Sequence, residues 1–427
     1  MATAPAPAVR NGVRTTLWIL LVVYIFNFID RQIVNILAEP IARDLKLSDT
    51  QIGLMTGLAF ALFYTVLGLP IARYADRPTT SRPRLIAVAL AVWSGMTALC
   101  GLAQNYTQLL LARIGVGVGE AGCTPAAHSL ISDIVPRERR ASALAFYALG
   151  IPIGTLLGMI IGGQLADAIG WRRAFVVVGL PGVALALVVV FLLKDPRRHV
   201  TAAERAAAPA ALSNKETLRL IFGSRALVML MIAASLAAFL SYGKTTWATI
   251  FFQRTHGLSP GEVGLYFGLL NGVSAILGTW LGGKIADRWG ATNRRHVLTA
   301  PALGMLIAAP LAFLGYSAPT WQSALAMLAL PTLLNSLYYG PTYSAVQGLV
   351  KPQARAMAAA VLLFFQNLIG LGFGPLFFGM LSDLLKPEFG EDSVQIVLYS
   401  AAFLGVIPAF FFWRCSLRLN DELDRQG

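Results

Sequence analysis

The chain has 427 residues, of which 56% are apolar and only 13% charged, with 40 glycines and a mean hydropathy of +0.65. Water-soluble domains of this length do not have that composition, so the sequence is read as an all-α polytopic membrane protein. The formal charge of +13 would suggest nucleic acid in a soluble protein, but here the basic residues follow membrane topology, and no nucleic-acid partner is expected.

Twelve apolar runs are predicted to span the membrane, at 15–39, 51–72, 84–103, 106–133, 141–165, 172–193, 226–253, 261–286, 295–315, 320–348, 354–384 and 393–413. Each is long enough to cross about 30 Å of hydrocarbon at 1.5 Å per helical residue. With the N-terminus inside, 25 of the 34 Lys and Arg residues fall in cytoplasmic tails and loops. Six lie outside (Arg43, Lys46, Arg172, Arg173, Arg254, Lys386) and three lie deep in spans (Arg31, Arg113, Lys244). That asymmetry predicts both termini in the cytoplasm, and the first apolar run is too long for a cleaved signal peptide.

The first span carries FNFIDRQIVN, residues 26–35, with Asp30 and Arg31 side by side in apolar surroundings. Counted along an outward-running helix, Asp30 lies about 20 Å from the cytoplasmic edge. Arg113 of the inward-running fourth span falls at the same level, so these two are expected to pair. Glu120 shares the face of Arg113, about 10 Å deeper. Charge at the bilayer centre costs roughly 2.5–3.5 kcal/mol per residue, so the four should face a polar cavity. Asp30 and Glu120 are the candidate proton-coupling groups, and Arg31 and Arg113 the candidate substrate-binding ones. A structural ion pair that only orients the helices is the alternative.

The fifth span repeats Gly150, Gly154, Gly158 and Gly162 every fourth residue, a face for close helix packing or for sliding. Residues 194–225 form a polar hinge, where Ser213 to Glu216 fits a capping box before a short amphipathic helix. In the seventh span Lys244, with Thr245 and Trp247, and in the tenth Asn335 and Tyr338, are candidate headgroup contacts. The alternative for Lys244 is to snorkel to the interface, and for Asn335 and Tyr338 to serve as interhelical contacts. Gly370, Gly374 and Pro375 stand in the eleventh span.

Three motif matches fail on context. GVGEAG at 117–122 lies in an apolar helix with no preceding strand, so it is no dinucleotide site. GKT at 243–245 lacks the first glycine of a phosphate loop. Cys123, His128 and Asp133 advance in steps of five, which scatters them around a helix. Cys100, Cys123 and Cys415 have no metal-like spacing either. An enzyme is therefore not expected, nor a cofactor or a metal.

The chain is an internal repeat. An offset of 211 residues aligns 47–84 with 258–295 without a gap, matching Leu47/Leu258, Ser48/Ser259, Gly53/Gly264, Gly57/Gly268, Ala75/Ala286, Asp76/Asp287 and Arg77/Arg288. This divides the protein into an N-terminal six-helix bundle at 1–193, the linker 194–225 and a C-terminal six-helix bundle at 226–427. Parallel repeats of this kind place a substrate site near the membrane midplane. Each copy ends in a loop with Asp and Arg, GGKIADRWGATNRR in the second and ARYADRPTTSRPR in the first. Asp76, Arg77, Asp287 and Arg288 are candidate latch residues, in which a carboxylate caps a facing helix and pairs with arginines. A solvated loop that only sets topology is the alternative.

The second of these loops, with Gly283, Asp287, Arg288, Gly290, Arg294 and Arg295, resembles the signature of the major facilitator superfamily, while Ala72 and Pro78 depart from it in the first. NFIDRQ in the first span, Arg113 with Glu120-Ala121 in the fourth and FYALGIPIG in the fifth resemble the Spinster branch. The resemblance implies the major facilitator fold and a secondary transporter for lysophospholipids or sphingosine phosphates, proton-linked or facilitative. It also implies a location in a bacterial inner membrane and a monomer among membrane lipids. Organic anion:cation symporters share the Asp-Arg pair and the Arg and Glu seven apart, so small organic anions are a second substrate class. A membrane sensor that binds without transporting is a third reading.

Overall fold

The structure is a computed structural model that describes residues 7–77, 79–136, 139–195, 214–351 and 354–424, and it is helical, with no strand among the described residues. Nine of the helical stretches are long and apolar enough to cross a membrane, and one of them, Met357–Glu422, contains both the eleventh and twelfth predicted spans. The fourth and tenth spans fall short by this measure because each is broken in mid-course, into Tyr106–Glu120 and Cys123–Ile134, and into Trp321–Asn335 and Tyr339–Gly348. Proline explains both breaks. Pro125 and Pro341 have no N–H to return to the carbonyls of Ala121 and Leu337, and the helix opens at those residues. With them the described residues hold twelve spans in two six-helix repeats.

Contact grouping yields two compact units that follow the repeat, with one exchange each. Of the described residues, one unit takes those up to Lys46, Ala59–Ala208 and Pro260–Leu265, and the other takes Leu47–Leu58, Pro209–Ser259 and Tyr266–Gly427. The exchanged pieces are the starts of the second and eighth spans. In the second unit Asp383 accepts from the backbone N–H groups of Asp49 (3.0 Å) and Thr50 (2.7 Å) at the start of helix Asp49–Gly53. Arg254 grips the Asp49 carboxylate through two nitrogens (2.8 and 3.0 Å), and Ser382 Oγ donates to it at 2.6 Å. In the first unit Asp167 accepts from the Gly261 N–H at 3.0 Å. Helix N-termini favour such carboxylates because their first N–H groups have no partner within the helix.

The glycine face of the fifth span packs on the first span. Gly150, Gly154, Gly158 and Gly162 face Tyr24, Ile25, Ile29 and Ile33 in register, on the helix that carries Asp30 and Arg31. A Cβ at Gly154 would stand 2.5 Å from the Ile25 carbonyl oxygen and 2.6 Å from Phe28 Cβ. Gly154→Leu should therefore displace the first span and destabilise the protein by about 1–3 kcal/mol. Thermal unfolding in detergent measures this, and an unchanged transition would show that the two helices already have slack.

Two charged clusters hold the ends of the first unit. Arg82, fully buried at the start of the third span, donates to Asp195 through Nε (3.1 Å) and Nη2 (2.5 Å), and its Nη1 reaches Asp133 at 2.6 Å. On the other side Asp44 accepts from Arg172 and from Trp171 Nε1. The Arg172 hydrogen bond holds the Asp44 carboxyl below the usual carboxylate range. In the linker, helix Asn214–Gly223 is present as expected, while Ser213 of the anticipated capping box lies outside the described residues.

Candidate functional site

The first unit gathers the four charges, with a different pairing from the one expected. Arg31 Nε donates to Glu120 Oε2 at 2.6 Å. Asp30 and Arg113 form no ion pair, although Arg113 lies near enough to act on Asp30 electrostatically. Counting residues along each helix leaves out side-chain reach. An arginine extends over more than a helical turn, so Arg31 can reach a carboxylate on a different helix well away from its own Cα.

Aromatic rings enclose Arg31. Its Cζ stands 4.5 Å from the Tyr64 ring centroid, 5.0 Å from Phe28 and 5.1 Å from Phe60, and Arg113 Cζ stands 5.4 Å from Phe60. Such rings hold a guanidinium by cation–π attraction while leaving its donor edge available. Nε is committed to Glu120, the Tyr64 hydroxyl lies within hydrogen-bonding reach of the guanidinium, and 11% of the Arg31 side chain is exposed.

Beside this pair is a group of buried polar atoms that lie close to one another without closing well-aligned hydrogen bonds. It includes both oxygens of Asp30, Nε and Nη1 of Arg113, Oε1 of Glu120 and the Asn27 amide. Trp93 and Thr97 of the third span lie beside Asp30 and are the nearest donors to its carboxylate. Folded proteins rarely tolerate such groups except where a site requires them, because each costs about 1–3 kcal/mol. Asn27, Phe60, Tyr64, Trp93 and Thr97 escaped the sequence reading because none carries a charge. Only their positions, on the faces of the first three spans that meet the fourth, mark them.

In the second half Lys244 is half-buried and has no hydrogen-bond or ion-pair partner among the described residues, and Asn335 ends the first piece of the tenth span at its break. Tyr338 is only 1% exposed, packed among apolar residues with Phe412, while its neighbours Tyr339 and Tyr343 keep partial exposure. Of the latch residues, Asp287 and Arg288 are exposed, with side chains unpaired among the described residues, and Arg77 lies over the Tyr74 ring at 5.7 Å. The Asp76 side chain is outside the described set. At the opposite ends of the spans, Asp383 and Asp167 accept from helix-start N–H groups. Cys123, His128 and Asp133 form no triad. His128 packs edge-on to Tyr147, and Asp133 serves Arg82.

Comparison with known proteins identifies the class of protein. The sequence profile of the Major Facilitator Superfamily matches residues 20–375. An MFS-type efflux pump of Mycolicibacterium smegmatis is 34% identical over 421 residues, covering 97% of this chain and 96% of that one. Human protein spinster homolog 1 is 27% identical over 434 residues, covering 96% of this chain and 81% of that one. A crystal structure of a bacterial homolog to the human lysosomal transporter Spinster, inward-facing and unoccupied, superposes with a TM-score of 0.88 at 29% identity, covering 98% and 99% of the two chains. A D-xylose-proton symporter, at 19% identity and a TM-score of 0.74, shares the fold. The chain belongs to the major facilitator superfamily, within its Spinster branch, and is a transporter, not an enzyme.

Proposed function

We propose that this transporter moves an amphipathic anionic or zwitterionic lipid, of the lysophospholipid or sphingosine-phosphate kind, by proton-coupled alternating access. The observation that carries this reading is Arg31, a guanidinium held by Glu120 and three aromatic rings with part of its side chain exposed. A planar guanidinium binds phosphate or carboxylate through two parallel charge-assisted hydrogen bonds. Asp30 and Glu120 supply the proton-accepting carboxylates, Arg113 the counter-charge, and Lys244 and Asn335 further polar contacts. Asp76, Arg77, Asp287 and Arg288 latch the closed cytoplasmic side in the other half of the cycle. The chain works as a monomer in a bacterial inner membrane with both termini in the cytoplasm.

Arg31 recognises small organic anions by the same chemistry, so these are the second reading. Arg31→Lys keeps the charge and removes the fork. Binding of a lysophospholipid or a sphingoid phosphate should weaken by about 1–3 kcal/mol. Titration in detergent, with a short dicarboxylate as the competing class, measures it. Unchanged affinity for every ligand would remove Arg31 from the site, and binding of the dicarboxylate alone would replace the lipid with the small anion.

A further inference from the structure

The internal repeat gives each site residue of the first half a counterpart in the second. The offset of 211 residues holds back through the loop before the second span, where Lys46 (φ 53°) and its counterpart Gly257 (φ 68°) both adopt the left-handed conformation. Carried into the first span, it aligns Asp30 with Ser241 and Arg31 with Tyr242. In the fourth span the proline breaks set the correspondence. Glu120 ends the helix before the break at Pro125, and Asn335 ends the helix before the break at Pro341. The acid, the base and the second acid of the first half are therefore Ser, Tyr and Asn in the second.

These uncharged counterparts have company. Tyr343 OH donates to Gln366 Oε1 at 3.3 Å, at the point where the eleventh span changes to the wider π-helix Gln366–Phe373. π-Segments of this kind recur at functional sites. Tyr338 stacks on Tyr339 at 4.3 Å and fixes its ring, and Tyr242 lies beside Tyr338 and Tyr343. Tyr242, Tyr339 and Tyr343 are partly exposed, so the phenols do not simply fill a core. Thr342, fully buried one turn from Tyr338, has a hydroxyl without a partner. Phenol, amide and hydroxyl groups both donate and accept, which suits a ligand group that does the same, and aromatic faces cover its C–H surface. An ion would find no counter-charge among these side chains.

We propose that the second half carries an uncharged substrate subsite, built from Tyr242, Tyr339, Tyr343 and Gln366, that recognises the hydroxyl groups of a glycerol-like polyol portion of the ligand. The inference depends on the Arg31 reading only in its choice of an anionic probe. The test uses two single-chain phosphate monoesters of equal charge and tail, dodecyl phosphate and 1-dodecylglycerol-3-phosphate, titrated against the full chain in detergent. The wild type should bind the hydroxylated probe about five- to tenfold more tightly, the usual worth of one or two neutral hydrogen bonds. Tyr343→Phe and Gln366→Met should each bring that ratio close to one while leaving dodecyl phosphate unaffected, and Tyr339→Phe should reduce it. Because the ratio is taken within each variant, a loss of folded fraction cancels. Equal binding of the two probes by the wild type, or a ratio retained in Tyr343→Phe and Gln366→Met alike, overturns the subsite. Arg31→Lys should weaken both probes in parallel. If it weakens neither, the anion reading falls, while the ratio still decides the hydroxyl subsite.

Discussion

Glu120→Gln is expected to reduce pH-gradient-driven uptake in liposomes to the level of vesicles without protein, while leaving the protein folded, inserted and able to bind ligand. The glutamine keeps the size of the side chain and an oxygen to accept from Arg31 Nε, now held at 2.6 Å by the carboxylate. What it removes is the charge and the ability to take up a proton. On the proposed mechanism, protonating Glu120 loosens its hold on Arg31 Nε and leaves the guanidinium's charge to the ligand, so that proton and anion binding favour each other. A permanently neutral glutamine at this position imitates the protonated form. The variant should therefore bind an anionic ligand at least as tightly as the wild type, yet gain nothing from a pH gradient. Asp30→Asn should also abolish gradient-driven uptake, by a different route. Asp30 has no ion pair to lose, and its change leaves the Arg31 pair in place. Full gradient-driven transport by both variants would sink the coupling role and leave the charges as structural.

The parts of this protein that could be read from sequence are those that depend on local pattern. Apolar run length marked the spans, and the 211-residue offset marked the repeat; the structure adds a left-handed residue at the matched positions Lys46 and Gly257. The four buried charges stood out because a charge in an apolar run is conspicuous whatever its partner. Their partners did not. Arg31 and Glu120 are 89 residues apart, and their meeting depends on side-chain reach across two helices, which no count along one helix contains. The contact of Asp49 with Asp383 spans 334 residues and joins two residues that look like ordinary loop acids. Uncharged site residues such as Tyr64 and Trp93 were hidden for the opposite reason, since aromatic residues are abundant in every membrane helix. The two helix breaks were legible in principle from Pro125 and Pro341, but proline within a membrane span does not by itself say whether the helix kinks or opens.

The largest expected loss of stability lies outside the site, at Arg82. Its side chain is fully buried, and it joins three spans. It starts the third, reaches Asp133 and Ser129 (3.3 Å) at the end of the fourth, and holds Asp195, just past the sixth, through its backbone N–H (3.0 Å) as well as its guanidinium. Asp195 is only 8% exposed, so it has little water to fall back on. Removing one partner of such a pair leaves the other as an uncompensated charge, and Arg82→Leu should destabilise the protein by about 3–5 kcal/mol. Lysine cannot bridge two carboxylates with a fork, so Arg82→Lys should fall between wild type and Arg82→Leu. The decisive comparison is Arg82→Leu with Asp195→Asn. If the stranded carboxylate causes the loss, neutralising it should restore part of the stability of Arg82→Leu, even though Asp195→Asn alone is destabilising. Unfolding in detergent followed by tryptophan fluorescence reads all four proteins. A single Arg82→Leu variant as stable as the wild type would show that water reaches this cluster and that the three helix ends are held by apolar packing alone.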